Sequence, residues 1–278
     1  MSLPRGTLRS AGVLAALVVL ALACGSAPSS SSGATAAPQA GRTSSAVPLL
    51  QHRVVRSHPH DPAAFTQGLQ LVDGELYEGT GLHGQSSLRR VDLRSGRVLQ
   101  QIALEPRYFG EGIAVIGDRV VQLTWQGGTG FVYDRRSFER QQTFTYTGEG
   151  WGLTYDGQRL IMSDGTDALR FWQPETFDEI GRVRVRADGT PVSRLNELEY
   201  VDGMVYANVW PTDRVARIDP ATGEVTGWLD FTGLLTPTER SRGVDVLNGI
   251  AHDPATGHLL VTGKLWPWVF EVAVTTEP

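Results

Sequence analysis

A short pattern returns five times along this chain, and a chain that repeats itself buries apolar surface by stacking or circling its copies. The copies are Gln67-Gly-Leu-Gln-Leu-Val-Asp-Gly-Glu-Leu-Tyr77, Glu111-Gly-Ile-Ala-Val-Ile-Gly-Asp-Arg-Val-Val121, Trp151-Gly-Leu-Thr-Tyr-Asp-Gly-Gln-Arg-Leu-Ile161, Asn196-Glu-Leu-Glu-Tyr-Val-Asp-Gly-Met-Val-Tyr206 and Asn248-Gly-Ile-Ala-His-Asp-Pro-Ala-Thr-Gly-His-Leu-Leu260. Their starts lie 44, 40, 45 and 52 residues apart. Each alternates apolar residues around an Asp-Gly or Gly-containing turn, which is hairpin grammar. A second hairpin follows, clearest at Arg90–Leu99 and Arg217–Val225. Four strands per ~45 residues make one blade of a β-propeller.

The spacing therefore predicts an all-β, five-bladed β-propeller. The last copy stops after a third strand at Trp268–Ala273, so the run His52–Arg56 is expected to supply the fourth strand and close the ring. A plain β-sandwich is the rival, but it has no need of a fivefold repeat. The 32 Gly among 278 residues fit a chain of many tight turns. The lone Cys excludes a disulfide framework and a CxxC zinc site. A net charge of -5 gives no electrostatic reason to bind nucleic acid.

The first 47 residues read differently. Arg5 and Arg9 precede a thirteen-residue apolar run, Ala11–Ala23, shorter than the ~20 residues needed to span a bilayer. That pattern predicts a secretory signal over residues 1–23, with Ala21-Leu22-Ala23 as a cleavage site. Its removal takes two Arg and leaves a net charge of -7. Cys24 follows in a loose lipobox in which Ala21 stands where Leu is usual. A lipid anchor on Cys24 and an ordinary secreted protein with an incidental Cys both stay open. Residues 24–47, rich in Ser, Ala and Pro, read as a flexible tether. The propeller domain is assigned to residues 48–278, exported to the periplasm or cell exterior and expected as a monomer.

The first strand of each blade lines the central axis, so the residues opening the five copies form a ring: Gln67, Glu111, Trp151, Asn196 and Asn248. Such residues could simply bond strand-entry backbone. As a set, an acid, amides and an indole converging on one axis favour a pocket. Strand ends add Trp125, Trp210 and Lys264, and Phe65 and Phe109 stand two residues before Gln67 and Glu111. Trp172, Trp228 and Trp268 fit blade packing better. His58-Pro-His60-Asp61 has no partner motif and is a weak metal candidate. No H-E-x-x-H, G-x-S-x-G or P-loop occurs, which leaves acid–base chemistry with Glu111 as the leading group.

Ten ordered stretches carry a resemblance. They include Phe65-Thr-Gln-Gly-Leu69, Phe109-Gly-Glu-Gly-Ile113, Leu123-Thr-Trp-Gln126, Gly148-Glu-Gly-Trp-Gly-Leu153, Leu195-Asn-Glu-Leu-Glu-Tyr200, Ala207-Asn-Val-Trp210 and Thr262-Gly-Lys-Leu-Trp-Pro267. Over roughly residues 52–272 the chain resembles the plant-type and bacterial glutaminyl-peptide cyclotransferases, five-bladed propellers unrelated to the zinc-dependent animal enzymes. The resemblance implies a pocket of Phe65, Gln67, Phe109, Glu111, Trp125, Trp151, Asn196, Trp210 and Lys264, with Glu111, Lys264 and Asn196 catalytic and the rest holding substrate. It implies a peptide or protein substrate with N-terminal Gln, closed to pyroglutamate with loss of ammonia. No metal or other cofactor is required on this reading, and a structural ion on the propeller axis stays open. Lys264 would stabilise developing oxyanion charge or orient Glu111, or else form a purely structural salt bridge with it. Two alternatives remain: a metal-dependent lactonase-like propeller and a non-catalytic peptide-binding propeller. The segment Leu234–Val246, inserted before the fifth blade, is expected to rim the entrance.

Overall fold

The computed structural model describes residues 46–275. The signal segment, Cys24 and nearly all of the tether lie outside the described residues. Five four-stranded antiparallel sheets follow one another around a ring. Their inner strands are Thr66–Val72, Gly110–Ile116, Leu153–Tyr155, Leu195–Val201 and Leu247–Asp253. Four blades run in simple sequence order from inner to outer strand. In the fifth, Gln51–Pro59 lies outermost against Trp268–Thr275, from the pair Gln51 and Thr275 to the pair Pro59 and Trp268. Closure thus uses the N-terminal strand, which extends beyond the His52–Arg56 run read from the sequence.

Burial follows the strand position. The inner strands are buried almost throughout, whereas the outer strands Arg97–Ala103 and Glu179–Arg184 alternate between exposed and half-buried residues. A strand covered on both faces reads as a near-continuous apolar run, and an edge strand with one wet face reads as an alternation. The core consists of apolar layers between successive sheets. Between the second and third blades, Leu123, Phe144, Leu153, Met162, Trp172 and Phe177 form one such layer, in which the Phe144 and Phe177 rings stack 3.7 Å apart.

The second position of the repeat explains how the inner strands come so close. A Cβ on Gly68 would lie 2.5 Å from the Ile113 nitrogen, and one on Gly112 would lie 2.6 Å from the Leu153 nitrogen. Where four copies carry Gly, the fourth blade carries Glu197. Its side chain is buried and reaches two other blades: Oε1 accepts from the Leu69 N–H at 3.1 Å and Oε2 from the Ile250 N–H at 2.8 Å. Two residues on, Glu199 accepts from the His252 N–H at 2.9 Å. Both axial carboxylates are therefore tied to backbone donors of neighbouring blades.

Two further elements add to the repeat. Arg186–Ala187 and Thr190–Pro191 form a small hairpin between the third and fourth blades. Its turn is Asp188-Gly189, both with positive φ, a hairpin signal present in the sequence. The inserted segment before the fifth blade contains one short helix, Pro237–Arg240, begun by a capping box in which Thr236 and Glu239 satisfy each other's backbone N–H groups.

Candidate active site

One cavity of about 650 Å³ opens at the end of the ring where the inner strands begin. Its wall is made by Phe65, Gln67, Phe109, Trp125, Trp151, Asn196, Trp210 and Lys264, joined by Pro211, Asp245 and Val246. The structure thus brings together eight of the nine residues named from the sequence. The inserted segment contributes Asp245 and Val246 directly to the wall. Glu111 is the exception, because it does not form part of the lining surface. It sits behind Gln67, only 4% exposed, with its Oε1 accepting from Gln67 Nε2 at 3.0 Å.

Gln67 is fixed from both ends. Its Oε1 accepts from Asn248 Nδ2 at 3.1 Å, and the same Nδ2 group donates to the Thr66 carbonyl at 3.0 Å. Asn248 is buried and outside the cavity wall, so the fifth member of the axial ring orients the first instead of meeting a ligand. With the Gln67 amide locked, its N–H must point at Glu111. The second carboxyl oxygen of Glu111 has no protein hydrogen-bond partner among the described residues.

Backbone bonds between and within blades set the rest of the wall. The Gly112 N–H donates to the Trp151 carbonyl at 2.7 Å, Gly150 to Trp125 at 2.9 Å and Trp125 to Phe109 at 3.0 Å. Ser163 joins the third and fourth blades, accepting from the Gly152 N–H and donating to the Asn196 carbonyl, each at 2.7 Å. The Asn196 side chain then projects with a buried Oδ1 that has no partner among the described residues. A buried amide oxygen left unpaired costs about 1–3 kcal/mol, so it is poised to take a donor from a bound molecule.

The aromatic walls are mutually braced. Phe109 meets Phe65 edge-on at 6.0 Å and Trp125 at 5.6 Å, and Trp151 meets Trp210 at 6.1 Å. Gly165 accommodates the Trp151 indole, since a Cβ there would lie 2.7 Å from its ring. A residue absent from the sequence-derived set, Glu149, binds both indoles. Its Oε2 accepts from Trp125 Nε1 at 2.8 Å and from Trp151 Nε1 at 2.9 Å.

Burial pushes the Glu111 carboxyl well above the usual carboxylate range; the Lys264 charge opposes this and Glu149 adds to it. Burial likewise lowers Lys264, against the pull of Glu111 and Asp245. No ion pair joins Lys264 to Glu111 among the described residues, so the salt-bridge reading of Lys264 is corrected. Its ammonium instead lies 4.9 Å over the Phe65 ring, inside the cavity wall. Glu149 moves the other way: burial disfavours its charge, but hydrogen bonds from Trp151, Trp125 and Gln126 outweigh that and keep it ionised.

The histidine cluster serves another purpose. His60 is buried between Glu78 Oε1 at 3.0 Å and the Trp266 carbonyl at 2.7 Å. Among the described residues no three His, Cys, Asp or Glu side chains converge as a metal-ligating set. A separate groove of about 570 Å³ contains Arg170, but its guanidinium is already engaged by Glu179 and the Thr147 carbonyl.

Known proteins share this architecture. The crystal structure of Myxococcus xanthus glutaminyl cyclase matches with a TM-score of 0.77 at 40% identity, covering 83% of this chain and 100% of that one. The glutaminyl-peptide cyclotransferase of Arabidopsis thaliana is 44% identical over 232 residues, 80% of this chain and 72% of the relative. A family model described as glutamine cyclotransferase matches residues 18–274. A five-bladed ring, an indole-walled cavity at one end and a match along almost the entire sequence lead to one assignment: this chain belongs to the glutamine cyclotransferase family.

Proposed function

We propose that this protein converts N-terminal Gln of peptides or proteins to pyroglutamate, with Glu111 moving the protons and no metal taking part. The observation that carries the reading is the buried Glu111 carboxyl, held by Gln67 through one oxygen and without a protein partner at the other among the described residues. The α-amine nitrogen of the substrate attacks its own side-chain amide carbon. A C–N bond closes the lactam, the bond to the amide nitrogen breaks, and that nitrogen leaves as ammonia.

The amine must give up one proton and the departing nitrogen must gain one. A carboxyl kept protonated by burial donates to the leaving nitrogen and recovers its proton from the attacking amine, returning to its starting state. Such acid–base help is worth roughly 10²–10⁴-fold. The unpaired Asn196 Oδ1 accepts from the amine and turns its lone pair toward the carbonyl carbon. Lys264 faces the oxygen on which negative charge develops. Phe65, Phe109, Trp125, Trp151 and Trp210 keep water away and hold the Gln side chain curled for attack.

The signal-like segment and tether support an exported location for this activity, with Cys24 as the point of a membrane anchor if it is lipidated. The test is ammonia release from Gln-initiated dipeptides, with and without chelator, by wild type and Glu111→Gln. Chelator-insensitive release by wild type, and a loss of about 10²-fold or more in kcat with unchanged folding in the variant, are expected. Near wild-type turnover by Glu111→Gln overturns the assignment of Glu111.

A further inference from the structure

We propose that Glu149 is a positioning residue for this reaction, a charged staple that holds Trp125 and Trp151 as facing walls around the substrate side chain. The inference rests on the cyclase reading above and adds a residue to it. Trp125 follows a strand of the second blade and Trp151 precedes the first strand of the third, so the two indoles belong to different sheets. Both N–H groups converge on the same oxygen, Glu149 Oε2, at 2.8 and 2.9 Å. The other oxygen accepts from Gln126 Nε2 at 3.3 Å.

A carboxylate oxygen has two lone pairs, and here each takes one indole donor. Hydrogen bonds to an ionised acceptor are roughly twice as strong as neutral ones. The bonding fixes the rotation of each ring about its side-chain torsions, which apolar contact alone leaves adjustable. The fixed rings then brace their neighbours, Trp125 against Phe109 and Trp151 against Trp210. Glu149 is not among the residues that line the cavity, so its effect passes through the walls.

A second consequence distinguishes this role from simple structural support. The Glu149 charge helps hold the Glu111 proton, while Lys264 opposes it. Tyr146 also faces Glu111 and keeps its own proton far above neutrality, chiefly through burial. On the mechanism above, the alkaline limb of kcat/KM follows loss of the Glu111 proton.

The experiment compares Glu149→Ala and Glu149→Gln with wild type, using a Gln-initiated dipeptide, pH–rate profiles and thermal unfolding. Wild-type turnover is the precondition; its absence would sink the cyclase reading itself rather than this inference. Glu149→Ala is expected to lose at least tenfold in kcat/KM, since misplacement by about 1 Å can cost 10²-fold. Glu149→Gln keeps an acceptor for the indoles but not the charge. It should recover most of that loss and move the alkaline limb to lower pH. Glu149→Ala within twofold of wild type overturns the proposal. So does a Glu149→Gln variant as impaired as Glu149→Ala with an unmoved limb.

Discussion

Glu111 and Lys264 are driven by burial toward their neutral forms from opposite directions, and each restrains the other's shift. Replacing Lys264 by Met should therefore have two effects. Turnover of Gln-peptides should fall by about 10²-fold, the usual loss when a donor to a developing oxyanion is removed. The alkaline limb should move to higher pH, because the cation that lowers the Glu111 pKa is gone; a pH–rate profile reads both. At this scale the sequence was informative where a residue's position in the repeat matched its placement in space. Gln67, Glu111, Trp151 and Asn196 each open a copy, and all four meet at one end of the ring. Asn248 also opens a copy, yet only the folded chain reveals that its amide grips Gln67. Glu149 was invisible to that logic: it precedes the repeat, and its partners converge only once two blades pack. The hint was an acid two residues before an axial Trp, in Glu149-Gly150-Trp151.

Among the elements, the inner strands carry the strictest demands. Gly152 lies against the Asn196 carbonyl so closely that a Cβ has no room. Gly152→Ala should force the third and fourth inner strands apart, at a cost of about 1–3 kcal/mol in urea unfolding. Because Trp151 and Asn196 flank that contact, activity should drop further than stability alone explains. The strand pattern was readable because hairpin turns and alternation repeat at a steady interval. The hairpin at Arg186–Pro191 was harder to see, being two residues per strand and largely exposed. The effect of Leu234–Val246 depends on where a non-repeating loop comes to rest, which no periodicity encodes. Asp245 and Val246 reach the cavity, while the helix Pro237–Arg240 has no buried residues.

For the whole molecule, buried acids couple ring integrity to pH. Burial raises Glu199 to about 8, and raises Glu197 well above its ordinary range. In His60, burial acts downward, but Glu78 and the Trp266 carbonyl prevail and raise the pKa. In every case the folded state binds its proton more tightly than the unfolded chain. Their stabilisation is complete below the unfolded values, about 4.3 for Glu and 6.5 for His, and is lost as pH climbs through the folded values. Melting temperature should accordingly fall between pH 5 and 9, and Glu199→Gln should flatten that slope in a scanning calorimeter. The exception among the axial glycines has a different consequence for traffic. Among the described residues, the buried Glu197 side chain spans the hub, tied to the Leu69 and Ile250 amides of two other blades. A peptide that leaves past Trp210, by the side it entered, would clear the mouth before the next arrival, so a tightly held product would slow turnover by occupying that passage.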